Sequence, residues 1–193
     1  MRDLPEIRVD IDRIDTEIKN ILMERLDCSN EVVQSKIRDQ NYVINRPDRE
    51  AAMLERLGKD IPDDRRSGYL AVVRKITETS RMYQYGILFE QVPELFEALT
   101  KDIDLTVPTE VVSVRLRRRN IPNSMSEILS MIGDYGFDMK EMQLLSYSED
   151  NAYVYFRLTI QGDILETRMQ KLLLQLSMES EEFSIMKRER IDC

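Results

Sequence analysis

Between Pro5 and Pro47 the chain contains neither glycine nor proline. From just before that stretch onward, Leu4, Ile7, Ile11, Ile14, Ile18, Ile21, Leu22, Val32 and Val33 recur at spacings of three and four, which is one face of an α-helix and incompatible with the period of two of a strand. The pattern predicts a single long amphipathic helix from residue 4 to about residue 37, with Pro5 tolerated in its first turn. The polar stretch "RDQNYVIN" then leads to a second helix from Pro47 to about Leu57, ended by Gly58. After "KDIPDDRRSG" a third long helix is expected from about Asp63 to Tyr85 or beyond, with Tyr69, Val72, Ile76, Tyr83 and Ile87 among its apolar positions. Residues 92–103 read as a short connecting helix.

Beyond residue 109 the period changes. "EVVSVRLRRR" alternates as a strand, and "IPNSMSEILSMIGDYG" is a helix capped by Asn123 or Ser124 with a glycine exit. "MKEMQLLSYS" and "AYVYFRLTIQG" are strands joined by a turn at Glu149, Asp150 and Asn151; "DILETRMQKLLLQLSM" is a helix and "EEFSIMKRER" a last strand. The order βαββαβ is that of ferredoxin-like α+β domains. Two domains are expected: an all-α three-helix domain over residues 1–91 and an α+β domain over residues 109–193. Residues 92–108 connect them.

Several function classes are disfavoured. A net charge of -8 opposes general nucleic-acid binding, which needs a basic face. The one dense basic run, Arg115-Leu116-Arg117-Arg118-Arg119, reads as the solvated side of a strand. The absence of histidine removes imidazole acid–base catalysis and the commonest zinc ligand. Cys28 and Cys193 form no disulfide framework, and the charged start "MRDLPEIRVD" has no apolar signal region. No uncharged stretch approaches the ~20 residues of a membrane span, so a cytoplasmic protein is expected.

The helical half carries polar residues that a plain bundle does not need. In "NRPDRE", Pro47, Asp48 and Glu50 suit a helix start, whereas Arg46 and Arg49 put cations at the positive end of the helix dipole. Arg25 and Lys36 are 11 residues apart, which places them within about 20° of one helix face. Arg8 lies roughly 25 Å from Arg25 along the same axis, so one small ligand cannot touch both. If both serve a site, Arg8 reaches into the site of a partner in a dimer. Ser80 and Gln84 share a face at i, i+4.

Taken together, Arg8, Arg25 and Lys36 on the first helix, Arg49-Glu50 opening the second and Ser80-x-x-x-Gln84 on the third resemble the all-helical chorismate mutase family over residues 4 to about 90. The resemblance implies an intertwined homodimer that rearranges chorismate to prephenate in phenylalanine and tyrosine biosynthesis, with no cofactor and no metal. It implies that Arg8, Arg25, Lys36 and Arg49 bind the two carboxylates and the breaking ether region. Ser80 would be a further hydrogen-bonding group, Glu50 would hold the ring hydroxyl, and Lys36 with Gln84 would address the ether oxygen. The family usually has an acidic residue where this chain has Arg46, leaving Asn45 and Asp48 as stand-ins. A pericyclic rearrangement needs no nucleophile or proton transfer. It needs a flexible dicarboxylate held compactly, and donors at the oxygen where charge develops.

Residues 109–193 resemble an ACT domain, the small βαββαβ module that often binds amino acids. The whole chain is similar to a chorismate mutase–prephenate dehydratase fusion lacking the dehydratase. Where dehydratase ACT domains carry Gly-Ala-Leu this chain has "IPNSMSEIL", and where they carry Glu-Ser-Arg-Pro it has "QLLSYSE", so phenylalanine binding does not carry over. A wall of Ile121, Pro122, Asn123 and Ser124 is the candidate for an aromatic amino-acid effector; a purely structural or dimerising module is the plain alternative. Two other functions share these features: an isochorismate-pyruvate lyase on the same helical fold, and a non-catalytic amino-acid-sensing or docking protein. Neither a membrane nor a nucleic acid is an expected partner.

Overall fold

Helix α1 spans Leu4–Arg38, α2 Pro47–Gly58 and α3 Asp63–Gln91, in a computed structural model that describes residues 2–122 and 124–186. The chain divides into two compact units, Met1–Leu88 and Phe89–Cys193. In the first, Asp3 caps α1 by accepting a hydrogen bond from the Glu6 amide at 2.9 Å. Pro47 opens α2, with the Arg46 carbonyl accepting from the Glu50 amide at 3.0 Å and no side-chain cap. Arg66 closes the α2–α3 turn: Nε donates to the Gly58 carbonyl and Nη2 to that of Ile61, both at 3.0 Å, which satisfies carbonyls that a helix end leaves open.

The buried face of α3 differs from expectation. Val73, Thr77, Ser80, Arg81, Gln84, Tyr85 and Leu88 are buried, whereas Tyr69, Val72 and Tyr83 are exposed. The helix is apolar on more than one side, and within one chain only the mixed polar side is covered. A larger surplus lies on α1, whose 35 residues bury only Ser29 and Val33. Leu4, Ile7, Ile11, Ile14, Ile18 and Ile21, alternating by three and four, are all exposed. That is the a/d spacing of a coiled-coil seam.

The second unit adds α4 (Glu94–Thr100), β1 (Val111–Arg119), α5 (Ser124–Asp134), β2 (Met139–Tyr147), β3 (Tyr153–Gln161), α6 (Thr167–Met178) and β4 (Glu182–Ile185). The four strands form one antiparallel sheet in the order β2-β3-β1-β4. Strands β1 and β3 pair from Val111 opposite Gln161 to Arg119 opposite Tyr153. Val112, Val114 and Leu116 with Val154, Phe156, Leu158 and Ile160 are buried on one face. Ile128 and Ile132 of α5 and Leu172, Leu173 and Leu176 of α6 complete the core.

Three expectations are corrected here. Arg118 does not sit on a solvated face: it is buried, donating to Glu127 Oε2 at 2.9 Å and to the Glu179 carbonyl, because it follows Leu116 by two positions on the inward side of β1. Helix α6 starts at Thr167 rather than Asp163, because Asp163 Oδ1 accepts from the amides of Thr109 and Leu165, both at 3.0 Å, and holds a turn there. Ser124 is the first residue of α5 rather than its hydrogen-bonded cap, and its buried Oγ has no partner among the described residues. Asn123 and the end of the expected last strand, residues 187–190, lie outside the described residues. No helix of the described residues is long and apolar enough to cross a membrane.

Candidate active site

The polar residues of the three long helices form three linked groups. Arg25 of α1 donates through Nη1 to Ser80 Oγ on α3 and, at 3.5 Å, to the Ile76 carbonyl. Ser80 is held in turn, its hydroxyl donating to the Ile76 carbonyl at 2.8 Å. One turn along, Gln84 is buried and donates one Nε2 hydrogen to the Ser80 carbonyl at 3.2 Å. Its second N–H and its Oε1 have no partner among the described residues and are left for a ligand.

The second group lies at the other end of the α1–α2 connection. Lys36 Nζ donates to the Val43 carbonyl, tying the 41–46 segment to the end of α1. Burial lowers the Lys36 pKa from the ordinary lysine value, and the neighbouring guanidinium groups of Arg46 and Arg49 lower it further. Neither Arg46 nor Arg49 makes an ion pair among the described residues. The cations that looked misplaced in "NRPDRE" are therefore charges gathered around a lysine.

The third group was not anticipated. Glu50 of α2 is engaged by Arg81 of α3, whose Nη1 lies 2.6 Å from Oε1 and 2.5 Å from Oε2. Arg81 is buried and adjoins Ser80. The signal existed in the sequence as helical spacing, since Val73, Thr77 and Arg81 stand four apart on the face that also holds Gln84 and Leu88. A lone arginine in a helix rich in charge gives no other warning. Across the three groups, five cations (Arg25, Lys36, Arg46, Arg49 and Arg81) stand with one carboxylate, Glu50. The arrangement suits a ligand with more than one negative charge.

Residues 7–85 match the family model for chorismate mutase type II. The helical unit thus contains a chorismate mutase type II domain, and the span includes all seven positions singled out above, from Arg8 to Gln84. No curated protein matches the chain. The α+β unit lies outside the match, and its fold stands as a four-stranded antiparallel sheet with helices in βαββαβ order.

Two predicted sites are placed differently from the rest. Arg8 is exposed on α1 and makes no hydrogen bond or ion pair among the described residues, so it joins none of the three groups within its own chain. In the α+β unit, Ile121 and Pro122 are exposed and Ser124 is buried, and none of them lines the cavity found in that unit.

Proposed function

We propose that the helical domain is a chorismate mutase acting on chorismate as a dianion. The observation that carries the reading is that α3 holds Arg25 of α1 through Ser80 and Glu50 of α2 through the adjoining Arg81, with Gln84 one turn along, joined to the family match over residues 7–85. In this reading Arg25 and Arg49 hold carboxylates. Ser80 fixes the Arg25 fork, since its hydroxyl is already spent on Arg25 and Ile76. Glu50, steadied by Arg81, meets the ring hydroxyl. Protonated Lys36 and the free N–H of Gln84 donate to the ether oxygen as its bond to carbon breaks. Donors placed where charge develops stabilise the transition state more than the ground state. Binding of the compact conformer removes most of the entropic barrier.

The domain works as a homodimer in this proposal. The seam Leu4, Ile7, Ile11, Ile14, Ile18 and Ile21 has no cover within one chain, and two such helices pack by burying it. Arg8 of the partner subunit then completes the cationic set. We assign the α+β unit a regulatory or assembly role, tested by turnover with and without phenylalanine, tyrosine and tryptophan.

The decisive experiment is loss of chorismate absorbance with purified protein, product identification, and the same assay with isochorismate. Lys36→Ala and Gln84→Ala should each lower kcat by about 10²–10³-fold, the scale of one removed oxyanion donor, with unchanged helicity. Release of pyruvate from isochorismate without prephenate formation from chorismate would replace the mutase reading by the lyase. Absence of both turnovers in folded protein would leave the sensing or docking reading.

A further inference from the structure

The sheet face opposite the buried Val114–Leu116–Leu158 side carries the alternate, polar positions of its strands. Cross-strand pairing sets four of them in one row: Gln143 of β2 opposite Arg157 of β3, Arg157 opposite Arg115 of β1, and Arg115 opposite Ser184 of β4. Gln143, Arg115 and Ser184 are exposed, and none of the four makes a hydrogen bond or ion pair among the described residues. The positions on either side are spent. Arg117 pairs with Glu182 at 2.6 Å and Arg119 with Glu181 at 3.6 Å, while Ser113 Oγ and Thr159 Oγ1 bond each other at 3.2 Å. Like charges directly opposite one another on a sheet are destabilising, and the Nε of Arg157 is buried without a partner, which adds a cost of its own. One oxyanion between Arg115 and Arg157 offsets both.

The surroundings restrict which oxyanion. Two guanidinium forks, a side-chain amide and a hydroxyl offer more donors than the two oxygens of a carboxylate accept, and they suit the three terminal oxygens and near-double charge of a phosphate monoester. A chain of phosphates is disfavoured: the flanking arginines already hold carboxylates, Glu141 stands diagonally from Arg157, and the protein carries a net charge of -8. An aromatic ring adjoins the row. Arg117 covers Tyr153 at 3.9 Å, but Arg115 and Arg117 both stay 5.7 Å from the centre of Tyr155, so Tyr155 is the ring left open to stacking. We infer that this row binds a mononucleotide, its phosphate between Arg115 and Arg157 and its base against Tyr155. The site is separate from the cationic groups of the helical domain and does not depend on what that domain catalyses.

Arg157 has no internal bond to lose and faces a like charge, so Arg157→Met should fold with a Tm no lower than that of the unliganded wild type. The test is calorimetry and thermal melting of the full chain with adenosine and uridine 5′-monophosphates, against adenosine, inorganic phosphate and a single-stranded oligoadenylate. At least one mononucleotide should bind and raise Tm, whereas adenosine, which lacks the phosphate, should not. Inorganic phosphate, which lacks the base, should bind at least about tenfold more weakly, and Tyr155→Leu should weaken nucleotide binding by a similar factor. Arg157→Met and Arg115→Met should each abolish binding, and Arg157→Lys, which keeps the charge but loses the fork, should fall between. Arg49→Ala in the helical domain should leave nucleotide binding unchanged. No binding by either mononucleotide, equal binding by inorganic phosphate, wild-type binding by a folded Arg157→Met variant, or loss of binding in Arg49→Ala would each overturn the assignment. Tighter binding of the oligoadenylate than of the mononucleotides would overturn it in favour of a single-stranded nucleic acid.

Discussion

Replacing Arg81 by methionine removes the guanidinium that holds Glu50 and keeps most of the buried volume. The geometry sets the size of the effect. Arg81 side-chain exposure is 10 % and that of Glu50 is 26 %, with both carboxylate oxygens within 2.6 Å of one guanidinium nitrogen. Two unit charges about 4 Å apart at an effective dielectric constant near 20 attract by about 4 kcal/mol. Part of this is offset by taking both groups out of water. Breaking a buried pair by deleting one member costs about 3–5 kcal/mol. Glu50 keeps a path to solvent, so Arg81→Met should fall below that range, at about 2–3 kcal/mol. Glu50→Gln leaves the better-buried partner without this carboxylate and should lie at about 3–4 kcal/mol.

The double variant should lose much less than the sum of the single variants, giving a coupling energy of about 2 kcal/mol. The assay is urea unfolding at one fixed protomer concentration, because the proposed homodimer would make stability depend on concentration. In turnover, a steadied Glu50 predicts that Arg81→Met raises KM more than it lowers kcat. Additivity within about 0.5 kcal/mol would refute the argument, since the two charges would then contribute independently despite their contact. A fall in kcat with unchanged KM would refute the functional half, because Arg81 would then act on the breaking bond rather than through Glu50.

Lys36 must be protonated to donate to an ether oxygen. Because burial and then Arg46 and Arg49 lower its pKa, kcat/KM should begin to fall at a pH below the ordinary lysine range. Arg46→Ala removes one repelling charge and should move that alkaline limb upward; an unmoved limb would separate Lys36 from the chemistry. The cations around the site repel one another without a ligand, so a dicarboxylate analogue of the rearranging conformer should raise Tm by linkage, and a flat melting curve would count against the dianion reading. Ile14→Asp puts a charge in the middle of the exposed α1 seam. It should yield monomers on sedimentation and abolish turnover, whereas an active monomer would remove Arg8 of the partner subunit from the proposed mechanism.

How far the sequence discloses this molecule depends on the kind of interaction involved. The α1 helix was legible to its ends because thirty-odd residues of unbroken period leave one local solution, and capping by Asp3 follows the same local chemistry. The strands of the second unit were legible for the same reason, with inward positions alternating along β1 and β3. What local pattern cannot supply is which of two polar-looking faces turns inward. Arg118 and Arg81 were both misjudged or missed, and both are arginines whose burial is decided by a carboxylate elsewhere in the chain: Glu127 for the first, Glu50 for the second. The separation in sequence, nine residues in one case and thirty-one in the other, sets the difficulty. Exposed isoleucines on α1 pose the converse problem, because their partner lies in no part of the chain described. A buried arginine points to the acid that neutralises it, and an uncovered apolar seam is what the proposed second copy would bury. Each names a missing contact that only the three-dimensional arrangement can locate. For the cations around Lys36, the contact still missing is an anion.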